Sequence, residues 1–190
     1  MKKMTPSSVR DLGQPLIEQI LVTPLLRAVA GGDSDAAVQH IWTNSESIDE
    51  PDQFGRTPLM LAAATGQLAV AEVLLFFHAN LMAQDGNGMT ALMHCAWNGH
   101  VEVAQMLLGK RPQLEDRDNE GRTSLMFAVW NNKLAMTQLL VSRGANLDAA
   151  NQMGWNVEQI SRRYAQRDVA HYIETALRDR REKIGELAGI

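Results

Sequence analysis

One phrase recurs every 33 residues in this chain of 190 residues and constrains its fold more than any other feature. The phrase has the form Asp-x-x-Gly-x-Thr-x-Leu and begins at Asp52, Asp85 and Asp118. A weaker copy, Asn-Gln-Met-Gly-Trp-Asn, begins at Asn151. A fixed period of this length is the signature of stacked structural units, each of which contacts only its neighbours. The chain is therefore predicted to present an elongated binding surface.

Each copy of the phrase is followed by a pattern that predicts two helices. In the first copy, Thr57 is placed to cap a short helix, and Pro58 occupies the first turn, where its fixed φ fits. Gly66 ends that helix. Leu and Val residues at i, i+3 and i+4 spacing then predict a second helix that buries one broad face. The later copies repeat the pattern, which indicates an all-α fold.

These residues resemble the ankyrin repeat, whose signature runs Asp-x-x-Gly-x-Thr-Pro-Leu-His-x-Ala-Ala, then Gly-His-x-Glu-Val-Val, then Gly-Ala-Asn. Parts of it stand here at Thr57–Ala63, Gly99–Ala104 and Gly144–Asn146. The resemblance covers about 23–177. It implies an all-α ankyrin-repeat solenoid of about five stacked helix-turn-helix units with short β-hairpin or loop connections.

The register of the copies predicts how the chain is divided. Three full repeats are placed at 52–84, 85–117 and 118–150, between a degenerate first repeat at 23–51 and a degenerate C-terminal capping repeat at 151–177. Residues 1–22 are predicted to add a capping helix around Pro15–Leu21, and 178–190 a charged tail. End repeats with one polar side are expected, because their outer faces meet water.

The resemblance implies that a partner binds the concave face, which is formed by first helices and hairpin tips. Trp97 and Trp130 follow the small residues of their first helices, about 140° around the helix from the buried leucine. An aromatic side chain beside an amide is typical of an interface hot spot. The predicted partner-binding residues are Trp97, Asn98, Trp130 and Asn131, together with Phe54, Arg56, Met89, Arg117, Arg122 and Trp155 at hairpin positions that vary in the family.

Other interpretations of these residues remain open at the level of sequence. The two Trp side chains could instead fill space between neighbouring first helices. Met60, Met93 and Met126 stand where the family has a His that braces the hairpin, and packing in the stack is the favoured interpretation for them. The usual bracing hydrogen bonds are therefore in doubt. Arg117 and Arg122 are as consistent with solvated charges as with contacts.

Composition excludes several classes of protein. The net charge is −4 with interspersed signs, which does not match the concentrated basic surface of a nucleic-acid binder. One cysteine excludes an internal disulfide and suits a reducing compartment. No run approaches the roughly 18 apolar residues of a membrane span. A cytoplasmic protein with no nucleic-acid or membrane partner is predicted. The charge is uneven, since 23–51 has one Arg against five acids.

Chemical motifs are weak throughout the sequence. His94 and Cys95 are adjacent, but Cys95 occupies the column of Ala62 and Ala128, where a small buried side chain is expected. A calcium loop beginning at Asp116 would need a Glu where Phe127 stands. We therefore predict a non-catalytic protein without cofactors or metals, monomeric when free, that binds another protein as an adaptor, inhibitor or antidote. The alternatives are a small-molecule or enzymatic site between repeats or terminal segments, and a self-associating scaffold.

Overall fold

The structure is a computed structural model that describes residues 23–43, 48–110 and 114–188. Over these residues it contains ten helices and no strand. The helices are α1 (Pro24–Gly31), α2 (Ser34–Thr43), α3 (Pro58–Thr65), α4 (Leu68–Phe76), α5 (Ala91–Asn98), α6 (Val101–Gly109), α7 (Ser124–Trp130), α8 (Leu134–Ser142), α9 (Val157–Tyr164) and α10 (Arg167–Ala188). They form five pairs, one in each predicted repeat. The helix predicted around Pro15–Leu21 lies outside the described residues.

Local signals explain where the first helices begin and end. The Thr57 hydroxyl accepts a hydrogen bond from the backbone N–H of Met60, and Pro58 occupies the first turn of α3. Gly66 follows the helix with a φ of 75°, in the left-handed region that glycine enters without strain. Thr90 caps α5 in the same way. The recurring Thr and Gly therefore set the length of these helices.

The first helices pack more extensively on one another than the second helices do. Their contact surfaces carry small, fully buried side chains, including Ala62, Cys95 and Ala128. Leu74, Leu107 and Leu140 occupy equivalent, fully buried places in the second helices. Because small side chains let helices approach closely and leucines hold them apart, the stack is expected to curve toward the first helices. We call the side formed by first helices and turns the first-helix face.

Successive turns between repeats are joined by single backbone hydrogen bonds. The N–H groups of Gly86, Asn119 and Gln152 donate to the carbonyl oxygens of Phe54, Asn87 and Glu120, at 2.8, 2.9 and 2.9 Å. Within the first turn, the Asp52 N–H donates to the Arg56 carbonyl at 3.0 Å. The predicted hairpins are thus tight turns rather than strands. Their backbone bonds align one repeat with the next.

The C-terminal end departs from the repeat pattern. Asn156 and Gln159 form a reciprocal capping box at the start of α9. α10 then runs for 22 residues and continues through most of the segment predicted to be a charged tail. Its early residues Ile173 and Leu177 are buried against the stack, whereas Ile184 is 54% exposed. The second half of α10 therefore extends past the last repeat.

Candidate functional site

A buried aspartate organises each turn on the first-helix face. One oxygen of Asp52, Asp85 and Asp118 accepts two backbone N–H groups of its own turn. The other oxygen pairs with a side chain that carries or can carry positive charge. These contacts are Asp52 with Arg56 Nη2 at 2.6 Å, Asp85 with His94 Nε2 at 3.0 Å, and Asp118 with Arg122 Nη2 at 2.6 Å. The turns are therefore braced although methionine replaces the histidine that usually braces them in the family, at Met60, Met93 and Met126.

The middle turn uses a histidine in place of an arginine. Burial alone would raise the pKa of Asp85. Its hydrogen bonds from His94 and from the backbone N–H groups of Met89 and Asn87 act in the opposite direction, as does the charge of His94. Together they outweigh burial and lower the pKa. Asp85 is therefore ionised in the folded protein at neutral pH. It accepts a hydrogen bond from His94 Nε2, while His94 Nδ1 is buried without a hydrogen-bond partner.

Two of the predicted contact residues are buried. Arg56 and Met89 are each 7% exposed. The Arg56 guanidinium neutralises Asp52, and Met89 joins the apolar core of the middle repeat. A direct contact with a partner does not fit either position, because each side chain is already enclosed by its own repeat. We therefore leave Arg56 and Met89 out of the candidate surface.

Met60, Met93 and Met126 are also fully enclosed in the stack. They form a column of apolar side chains that crosses three repeats, as the favoured interpretation of the sequence predicted. Thioether side chains are flexible and fill irregular gaps between helices. They support the surface from below rather than forming part of it.

Trp97 is half-buried on the first-helix face. Its ring packs against Phe127 of the next repeat, with 5.3 Å between ring centroids. The side-chain amides of Asn98 and Asn131 donate to carbonyl oxygens of their own helices, at His94 and Phe127. Trp97 therefore combines the two interpretations that the sequence left open, since one side fills the stack and the other remains accessible.

Trp130 is more accessible and stacks on a second aromatic ring. Its ring lies 4.8 Å from that of Tyr164, with an angle of 8° between the planes. The two residues are 38% and 40% exposed. Tyr164 is the last residue of α9, so the stack joins the fourth repeat to the terminal repeat. Trp130 is held by its neighbour but is not sealed between helices.

Trp155 and Arg163 complete this group. The Trp155 ring lies 5.9 Å from that of Tyr164, and the Arg163 guanidinium lies 6.0 Å from Trp155 and 5.7 Å from Tyr164. Among the described residues, no carboxylate forms an ion pair with Arg163. We call Trp130, Trp155, Tyr164 and Arg163 the aromatic cluster. It offers exposed ring surface beside an unneutralised positive charge.

Tyr164 and Arg163 were not among the contact residues predicted from the sequence. Adding one period of 33 residues to Trp130 and Asn131 leads directly to Arg163 and Tyr164. The 33-residue register therefore contained the signal, but the last repeat departs too far from the small residues of the earlier repeats to indicate these positions.

The remaining predicted residues lie around the turns. Arg117 is exposed, and its guanidinium donates to the carbonyl oxygens of Gly121 and Ala150, which links two repeats. Arg122 is half-buried and lies 4.8 Å from the Phe127 ring, paired with Asp118 and Glu120. Phe54 is half-buried beneath Arg56. These side chains shape the border of the face.

The side chains that could serve in catalysis or metal binding lie apart from the aromatic cluster. Burial raises the pKa of the Cys95 thiol, so the thiolate is disfavoured. In the described residues, no three His, Cys, Asp or Glu side chains gather in a metal-binding group. An open cleft of about 550 Å³ lies between α10 and the turn after α8, and its lining has no histidine or cysteine. Burial raises the pKa of Tyr172 in that lining.

Comparison with known families agrees with this architecture. The family model for ankyrin repeats, built for three copies, matches residues 25–118 and 78–151. The chain belongs to the ankyrin-repeat family. A search of curated proteins finds no significant match. Ankyrin repeats are in general protein–protein interaction modules, and the family is typically non-enzymatic. No helix in the described parts of this ankyrin-repeat protein has the length and apolar character needed to cross a membrane.

Proposed function

We propose that this ankyrin-repeat protein is a non-catalytic module that binds a protein partner through its first-helix face, as an adaptor or a stoichiometric inhibitor. The observation that carries the proposal is the stacked pair of Trp130 and Tyr164, which keeps about two-fifths of each side chain exposed. Trp and Tyr are enriched among the residues that dominate interface energies. A reducing compartment such as the cytoplasm suits its single free cysteine.

Preorganisation supports strong binding at this position. The Trp130 ring is held by Tyr164, and Tyr164 is held in turn by Trp155 and Arg163. Side chains that are fixed before binding lose little entropy when a partner docks. We propose that Trp97, Asn98, Asn131, Phe54, Arg117, Arg122 and Trp155 line the border of the contact. Arg163 would meet an acidic or polar group of the partner.

The test compares capture from native lysate by the wild type and by a Trp130→Ala/Tyr164→Ala variant. Loss of an interface hot spot costs about 2 kcal/mol or more, which corresponds to about a 30-fold weaker Kd. The control variant is Trp42→Ala/Phe76→Ala, which removes two exposed aromatic side chains elsewhere. Helical content by circular dichroism should be unchanged in both variants.

The expected result is a partner that the wild type and the control retain and that the Trp130→Ala/Tyr164→Ala variant loses. The affinity of the captured protein for each variant is then measured by calorimetry. A partner that binds all three proteins with equal affinity would remove the aromatic cluster from the interface and contradict the proposal.

A further inference from the structure

Two large aromatic side chains are exposed far from the aromatic cluster, at the other end of the stack. Trp42, near the end of α2, is 61% exposed, and Phe76, at the end of α4, is 70% exposed. Their rings lie 6.2 Å apart, and each contacts Phe77, at 4.9 Å and 5.4 Å respectively. We call Trp42, Phe76 and Phe77 the aromatic edge. Contiguous exposed apolar surface of this kind marks interaction sites on soluble proteins.

Apart from His40 in the last turn of α2, the ionisable side chains of α2 and α4 are acidic. α2 and α4 contain Asp35 and Glu72 but neither Lys nor Arg. Glu72 is exposed one helical turn before Phe76, on the same side of α4. The Asp49 carboxylate accepts the backbone N–H of Asn80, close to the end of α4. A complementary surface therefore needs an apolar hollow with positive charge at its border.

The opposite end of the same molecule has such a surface. The cleft of about 550 Å³ beside α10 has an apolar lining that includes Val141, Leu147 and Ala176. Arg180 and Lys183 lie at its border together with Asp179, so the lining keeps a net positive charge. This volume falls within the range of about 300–1,000 Å³ in which proteins bind compact apolar groups. The cleft is thus large enough to take an aromatic side chain.

The exposed half of α10 extends this surface. At 100° per residue, Lys183 and Glu186 continue the side of α10 that lines the cleft, whereas Ile184 lies about 100° away from Lys183. Arg180 pairs with Asp148 and Arg181 with Glu158, but both pairs are at the surface. Exposed ion pairs contribute little stability, so these arginines can exchange partners at low cost.

We propose that copies of this protein associate head to tail, with the aromatic edge of one copy docked in the α10 cleft of the next. Trp42 or Phe76 would fill the cleft, and Glu72 would lie near Arg180 and Lys183. The two surfaces lie at opposite ends of one stack, so the aromatic edge of one copy does not reach the cleft of the same copy. A contact between two different surfaces leaves one of each free on every pair of copies, so further copies can add. The result is an open chain unless the rotation between successive copies closes a ring.

The contact involves few side chains, so association is weak, with a Kd on the order of 100 µM. The protein is therefore expected to be monomeric at low concentration. Sedimentation equilibrium of the full chain from about 5 to 500 µM tests the proposal, and the mean mass of the wild type should rise with concentration. Trp42→Ser/Phe76→Ser should remain a single chain. Met153→Ser, which alters an exposed methionine outside both surfaces, should behave as the wild type.

A second pair of variants identifies the other half of the contact. Ala176→Trp fills the cleft, and Lys183→Glu reverses the charge at its border without touching the core. Each should remain a single chain when alone. Mixed with Trp42→Ser/Phe76→Ser, either should form a one-to-one dimer, because one copy supplies an intact cleft and the other an intact edge. Circular dichroism checks that every variant is folded.

Two results would overturn the proposal. A wild type that keeps the mass of one chain at every concentration would show that the aromatic edge serves another occupant, such as residues 1–22 or a different protein. Association that the mixture of variants does not restore would indicate contact between two identical edges. Neither result bears on the aromatic cluster, which the lysate experiment tests separately.

Discussion

Asp85 illustrates how one buried carboxylate can define a turn in a repeat protein. Its two oxygens accept hydrogen bonds from the backbone N–H groups of Asn87 and Met89 and from His94 Nε2. In the neighbouring repeats the equivalent aspartate is paired with Arg56 or Arg122. Of these three turns, the middle one pairs its aspartate with a histidine in place of an arginine.

Asp85→Asn is expected to lower the free energy of unfolding at pH 7 by about 1–3 kcal/mol, because a hydrogen bond to a charged group is lost. The folded pKa of Asp85 is lowered from 3.8, so its contribution is present above that value and is lost as the pH falls through the folded pKa. Urea unfolding at several pH values from about 7 to 3 measures this. If the difference in the free energy of unfolding between the wild type and the variant did not shrink below pH 4, the explanation would be contradicted.

Gly66 and Gly144 differ in their surroundings, although both have positive φ. An added Cβ at Gly66 would lie 2.5 Å from His100 Nδ1, whereas at Gly144 it would meet nothing within 4 Å. Each Gly→Ala change costs roughly 1 kcal/mol for the left-handed backbone. Gly66→Ala should cost more, because His100 must move away from the Ala64 carbonyl. Thermal unfolding of the two variants should therefore give the lower Tm for Gly66→Ala; equal values would contradict this reason.

At the scale of the helix, two equivalent N-caps behave differently. The Thr57 hydroxyl accepts the N–H of Met60, whereas the Thr123 hydroxyl is buried without a hydrogen-bond partner. Thr57→Val is expected to destabilise the protein by about 1 kcal/mol through loss of the cap. Thr123→Val has the same shape change but removes an unsatisfied polar group, so it should be neutral or stabilising. Urea unfolding of both variants checks the prediction, and equal losses would contradict it.

The helices and their order could be predicted because the 33-residue period repeats every capping and packing signal. The length of α10 could not, because its last residues alternate in charge and lack a full apolar stripe. A helix of this kind is stable in continuation of a packed one, although it would fray alone. Tyr164 was missed because α9 has Arg162 where the earlier first helices have alanine or valine, which obscures the repeat.

The candidate surface could be predicted only in part. Trp97 and Trp130 were selected from their register alone, and both are partly exposed in the structure. The burial of Arg56 and Met89 was not, because a variable position does not reveal whether its side chain turns toward solvent or toward an aspartate of its own turn. In this protein the pairing of Asp52 with Arg56 draws the side chain inward. Tertiary contacts decide such cases.

At the scale of the whole molecule, stability is expected to vary along the stack, because each repeat contacts only its neighbours. Ile173→Ala, in the terminal repeat, should cost about 2–5 kcal/mol locally. Native-state hydrogen exchange should then accelerate in α9 and α10 but not in α3 and α4. Leu107→Ala, in the middle repeat, should accelerate exchange in the repeats on both sides of it. Uniform acceleration by both variants would indicate that the stack unfolds as one unit.

The single backbone bonds between consecutive turns give the molecule a mechanical character. The bonds from Gly86, Asn119 and Gln152 lie one after another along the stack. Tension applied to the two termini would load them in series, so the weakest junction gives way first while the others hold. We therefore expect such a stack to lengthen under tension in steps of one repeat and not to unfold all at once.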